Sequence, residues 1–191
     1  MPQMSDPNFS GTITYICEHN EHGAMGIVIN RPVQFSLSEL LEQLEITFEG
    51  KEQAIYAGGP VQQDRGFVLH SCEPSNAEQR VENKPDSQEN KQNKEDWEST
   101  LQITPGIKLT TSKDILKAIA EGSGPDDFLI ALGYAGWGEG QLEQELAENT
   151  WLCCPASASI LFCPQNDKKM ELAMGVLGLD ASQLNGQIGH A

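Results

Sequence analysis

Apolar and polar residues alternate from Thr12 to Cys17, and a β-branched run follows from Gly26 to Asn30. That pattern predicts two strands, with the turn between them supplied by Asn20 to Gly23. Ser36 followed by Glu39 has the form of a capping box, and Leu37, Leu40, Leu41 and Leu44 fall on one helical face, which predicts a short amphipathic helix. Ala54–Ala57 and Phe67–His70 read as strands separated by a turn at Gly58, Gly59 and Pro60. Further along, Thr111 with Asp114 predicts a capped helix over Lys113–Glu121, closed by Gly122. Asp127–Leu132 is an apolar run of strand length, and Gln141–Glu148 a helix with Leu142 and Leu146 one turn apart. Trp151–Cys154 and Ser159–Phe162 read as two more strands around Pro155, and Met170, Ala173, Met174 and Leu177 as a last amphipathic helix ended by Gly178. Strands and helices alternate without a strict βαβ rhythm. The fold class expected is therefore α+β, with one large mixed sheet and about four helices packed on it.

Residues 73–99 interrupt this pattern. Only Ala77, Val81 and Trp97 are apolar there, too little to offset the entropy of ordering the chain. The expectation is a solvated, disordered insertion within a single domain spanning 1–191, because each flank alone is too fragmentary for its own core. The 191 residues are 38% hydrophobic, and the 18 glycines complete a composition ordinary for a globular chain.

Charge narrows the partners. Twelve Lys and Arg against 28 Asp and Glu leave a net charge of -16, which repels polyanions. Direct contact with nucleic acid or with an anionic membrane is not expected. The longest apolar stretch, Phe128 to Gly138, is too short to cross a bilayer, and the start MPQMSDPNF has no basic leader followed by an apolar run. A cytoplasmic protein is expected. Cys17, Cys72, Cys153, Cys154 and Cys163 make an odd number without zinc-finger spacing, which suits reduced, buried thiols.

Candidate chemistry is sparse. Cys17, His19 and His22 offer three metal ligands within six residues, but strand end and turn would turn them to different faces, so no metal or other cofactor is expected. Cys153 and Cys154, if on a strand, point to opposite sides. The glycines at 133, 136, 138 and 140 resemble a phosphate-cradling turn ahead of a helix. However, the chain from Lys117 to Lys168 has no intervening Lys or Arg, and Glu139 and Glu143 already occupy the positive end of the helix dipole. No nucleophile elbow is present, and Ser112 belongs with a helix cap. The polar residues singled out as candidate binding groups are His19, Asn30, Arg31, Asp64, Arg65 and Trp137. If their strands pair, Arg31, Asp64 and Arg65 converge on one rim, where His19 is the residue suited to act as a general base. The reading favoured is an accessory or regulatory protein that binds a protein or small ligand. An enzyme built on the Arg/Asp/His group is the alternative.

The segments CEHNEHGAMGIVINRP (17–32), YAGGPVQQDRGFVLH (56–70), LTTSKDIL (109–116), ALGYAGWGEGQLEQELAENTW (131–151) and the terminal GHA resemble the AlgH/YqgE family of bacterial proteins. The resemblance implies a single α+β domain with a large mixed sheet, and a regulatory role by name, with no catalytic residue to carry over. Members of that family carry an apolar strand upstream of the point where MPQM begins, so a truncated or misassigned start is expected, and restoring the strand should raise stability. The stretch around 79–94 is extra relative to the family, and Cys163 and Met170 stand where other members have Asp and Trp.

Overall fold

The computed structural model describes residues 6–72 and 97–179. Most of the expected insertion, the start of the chain and the terminal GHA lie outside the described residues. Among the described residues, eight strands form the sheet: β1 (Thr14–Asn20), β2 (Gly23–Val28), β3 (Pro32–Ser36), β4 (Ala54–Ala57), β5 (Val61–Ser71), β6 (Thr100–Thr104), β7 (Ile107–Thr110) and β8 (Phe128–Trp137). Five helices accompany them: α1 (Leu37–Gln43), α2 (Asp114–Ala120), α3 (Gln141–Ala147), α4 (Ala158–Leu161) and α5 (Asn166–Val176).

The sheet runs β1-β2-β8-β5-β7-β6, with β4 joined to β8 and β3 to β4. It is mixed but mostly antiparallel, because β4 against β8 is the parallel pair. Hairpins explain that preference: β1 and β2 turn at Glu21–His22, and β6 and β7 turn at Pro105–Gly106. Gly59 makes the approach of the 58–60 turn to β8 possible. It sits at φ +155°, and a Cβ there would lie 2.1 Å from the Tyr134 carbonyl carbon.

Two layers cover the sheet. On one face α1 and α2 bury Leu37, Leu41, Ile115 and Ile119 against Ile55, Val68 and Ile130. On the other, α4 and α5 bury Ile160, Leu161 and Ala173 against Tyr15, Ile27, Ile29 and Leu109. A third, smaller cluster joins Trp137 to Leu142 of α3, with Phe9 and Trp151 packed against it. The capping box at α1 is present as expected, with the Ser36 side chain accepting from the Glu39 N–H and the Glu39 carboxylate accepting from the Ser36 N–H.

Several elements differ from the sequence reading. Residues 158–161 form helix α4, not a strand, because the Ser157 hydroxyl caps it by accepting from the Ile160 N–H. A four-residue apolar run fits either state, and the cap decides it. Residues 151–157 form neither strand nor helix. Trp151 is instead tied by its indole to α3. Helix α2 starts without a side-chain cap, because Lys113 at the N-cap position carries no acceptor; the Asp114 carboxylate accepts from the Glu98 N–H, from Ser112 and from the Ile115 N–H. Strands β3, β6 and β7 are additional. Trp97, at the edge of the expected solvated span, packs edge-on against His70 at 4.9 Å. It anchors the chain there because one large aromatic contributes far more buried area than its polar neighbours.

Candidate functional site

Among the described residues a groove of about 750 Å³ opens, within the range of about 300–1,000 Å³ typical of small-molecule sites. One wall is the chain from Ser10 to Ile16. The second holds Trp137, Leu142, Leu146 and Trp151, and the third comprises residues 152–157 with Met170, Ala173 and Met174 of α5. The α5 residues recur at three- and four-residue spacing, so one helical face supplies them.

Glu145 builds the aromatic wall. Its Oε2 accepts from the indole N–H groups of Trp137 at 2.9 Å and Trp151 at 2.7 Å, while its Oε1 accepts from the Gln141 amide at 2.9 Å. Burial pushes this carboxyl up, but the bonds from Trp151, Gln141 and Trp137 outweigh it and hold the group below its ordinary value. Both rings also contact Phe9, at 6.2 and 5.6 Å between centroids. A single carboxylate therefore fixes two tryptophans in one orientation.

The groove also contains incomplete polar bonding. Thr14 Oγ1 and Asn166 Oδ1 are buried without a hydrogen-bond partner among the described residues, and both residues line the groove. Burial raises the Tyr15 phenol, and the Thr104 side chain beside it offsets part of that rise. Buried polar atoms are rarely left unpaired, because each costs about 1–3 kcal/mol. Two such atoms lie in the wall of one groove.

The residues singled out from sequence divide into separate places. Asn30 and Trp137 line the groove. Asn30 is also a clamp: its Oδ1 accepts from the Ile13 N–H and its Nδ2 donates to the Gly11 carbonyl. Arg31 donates to the Asn8 and Ser10 carbonyls and so holds the segment ahead of β1. Arg65 lies over the Phe67 ring at 5.4 Å and donates to Gln62 and Thr111. Asp64 is exposed on the irregular part of β5. His19 bonds Glu143 of α3 at 2.6 Å on the surface, and that bond holds the Glu143 carboxyl below its ordinary value. No hydrogen bond or ion pair joins any two of Arg31, Asp64, Arg65 and His19 among the described residues.

The cysteine and histidines near the first turn do not converge either. Cys17 is buried, and burial pushes its thiol up to about 12, while His22 is open to solvent. No group of three or more His, Cys, Asp or Glu positioned for a metal ion occurs among the described residues. Among the described residues, no helix is long and apolar enough to cross a membrane.

One buried cation escaped the sequence reading. Lys169 of α5 is 1% exposed; its Nζ donates to the Ile29 carbonyl at 2.7 Å and lies 4.3 Å from the centre of the Tyr56 ring. Burial pulls the amine down to about 8. Its spacing was the available signal: Lys169 precedes Ala173 by one helical turn, on the stripe that meets the sheet.

The chain belongs to the AlgH-like family, whose profile matches residues 1–182. A UPF0301 protein of Hahella chejuensis is 50% identical over all of this chain and 92% of its own length. A second, from Thioalkalivibrio sulfidiphilus, is 48% identical over all of this chain and 92% of its own length. The solution structure of the AlgH protein from Pseudomonas aeruginosa is similar at a TM-score of 0.70 and 46% identity, covering 100% of this chain and 92% of that one. A crystal structure from Corynebacterium diphtheriae shares the fold at a TM-score of 0.64 and 19% identity, covering 91% and 81% of the two chains.

Proposed function

We propose that this AlgH-like chain acts as an accessory or regulatory protein by holding a small ligand or a segment of another protein in its groove. It works neither through turnover at the Arg/Asp/His group nor through direct contact with DNA. The observation that carries this reading is the coincidence of an apolar, aromatic-walled groove with two unpaired buried polar atoms in its wall. Apolar walls supply affinity, and a few polar atoms fix orientation. Separate bonding of His19, Arg31 and Arg65 favours a structural role for each. The net charge of -16 favours partners other than a polyanion.

The test is a titration with the neutral apolar dye Nile red, comparing the natural chain with Ala156→Trp. Ala156 is exposed on the groove wall, so the added ring fills the groove while leaving the core intact. Saturable binding weakened at least tenfold by Ala156→Trp is the expected result. Equal binding by both chains, or none by either, refutes the groove. A gel shift at low salt that shows micromolar binding to duplex DNA refutes the exclusion of nucleic acid.

A further inference from the structure

Strand β1 is an edge of the sheet, and its pairing shows which backbone groups face outward. The Val28 N–H donates to the Gly58 carbonyl, away from β1, whereas the Ile29 N–H donates to the Ile13 carbonyl. Thr14 is opposite Val28, so that pair is the one without mutual bonds. Backbone groups alternate sides along a strand up to the bulge that follows Ile16, so Tyr15 bonds β2, while Thr14 aims its N–H and C=O, and Ile16 its N–H, away from it. Neither residue finds a backbone partner on that outer side among the described residues.

That outer side is the groove. Side chains alternate faces along a strand, yet Thr14, Tyr15 and Ile16 of β1 all line the groove, as do Gly11–Ile13 ahead of it. A cavity touching consecutive residues follows the strand's edge, not one of its faces. Two donors and one acceptor at Thr14 and Ile16 therefore point into an apolar channel. Thr14 Oγ1 adds an unpaired polar atom at the same position. Ile16 and Leu152, both lining the groove, leave 37% and 45% of their surfaces exposed.

We infer that the groove takes an extended segment of a partner protein, which adds a strand to β1 through Thr14 and Ile16. This rests on the groove being the binding site and names its occupant. Main-chain bonds supply part of the affinity, and every second side chain of the segment packs on the apolar walls. Charge selects which segment fits. No Lys or Arg lines the groove, Asp167 does, and Glu18 follows two residues beyond Ile16 on β1. With a net charge of -16, the chain attracts a segment flanked by Lys or Arg and repels a second copy of itself.

The experiment selects displayed random decapeptides on the full chain, then follows amide exchange and binding with the peptides selected. Alternating apolar residues flanked by Lys or Arg should be enriched, and saturation should slow exchange at Thr14 and Ile16 at least tenfold. N-methylating the peptide amides that face β1 should weaken binding at least tenfold, while methylating the intervening amides leaves it within twofold. Ile16→Pro, which removes an outward donor at a sheet edge, should also weaken binding at least tenfold. If that variant fails to fold, the methylated peptides decide alone.

Enriched peptides that leave exchange at Thr14 and Ile16 unchanged, or tolerate methylation on both sides, overturn strand addition. If they still displace Nile red, the groove itself survives. A selection that yields no binder overturns the inference as well. Protection of Thr14 and Ile16 without peptide overturns it too: if it grows with protein concentration, a second copy is the occupant, and if not, another part of this chain is.

Discussion

The buried amine of Lys169 predicts a stability profile of unusual sign. The perturbation is Lys169→Met, which keeps the length of the side chain and removes its titration. In the fold the amine lies at about 8, against 10.5 when free. Between those values the unfolded chain holds a proton that the folded chain has released. Stability therefore rises with pH across the window, is lowest below pH 8 where both states are charged, and reaches its full gain above about 10.5. The difference corresponds to about 3 kcal/mol at 1.36 kcal/mol for each tenfold change. Cys17, raised to about 12, works the other way, since its unfolded thiol ionises first and stability falls as pH climbs past 9. Comparing the two chains cancels that contribution. Urea midpoints for both should be measured from pH 7 to pH 10, below the range where Tyr56, itself raised by burial, titrates. The natural chain should gain at least about 2 kcal/mol on the variant across that range. A difference that stays flat or falls refutes the picture of an amine desolvated against Ile29 and Tyr56.

Other residues make simpler predictions. Glu145→Gln leaves one oxygen to serve three donors and should cost about 1–3 kcal/mol, with a red shift of tryptophan emission as Trp137 and Trp151 loosen. Ser36→Ala removes the α1 cap and should cost about 1 kcal/mol by urea denaturation. Gly59→Ala should lose more than about 4 kcal/mol or fail to give folded protein, as judged by near-ultraviolet circular dichroism, because its Cβ collides with the backbone of β8.

The sequence made local features readable where one signal acted alone. The β1–β2 hairpin followed from alternation around a turn, and α1 from four leucines behind a capping box. Residues 158–161 misled because an apolar run weighed more in the reading than the serine ahead of it, although a cap settles the state of so short a segment. Strands β6 and β7 were missed although Leu101, Ile103, Ile107 and Leu109 alternate with polar residues around Pro105–Gly106, because the alternating runs are short and adjoin the long polar span. They form because β7 finds β5 in space. For the site, Trp137 and Asn30 were legible as residues but not as a groove, since its walls come from β1, α3, α5 and the stretch between α3 and α4. Arg31, Asp64 and Arg65 looked alike on paper. Only tertiary structure reveals that Arg31 ties down the segment ahead of β1, while Arg65 rests on Phe67.

The position of β8 also governs how the molecule is made. The last strand, at residues 128–137 of 191, pairs with β2, β4 and β5, and Ala24 waits for Trp137. Until β8 leaves the ribosome, the first hairpin and the β4 strand have no common scaffold, and the buried surfaces of Ile27, Ile55 and Phe67 stay open to solvent. Contacts so distant in sequence form slowly, because the entropy of closing the long loop is lost before pairing rewards it. The nascent chain thus spends most of its elongation as an incomplete sheet, with apolar surface that is covered only after β8 emerges.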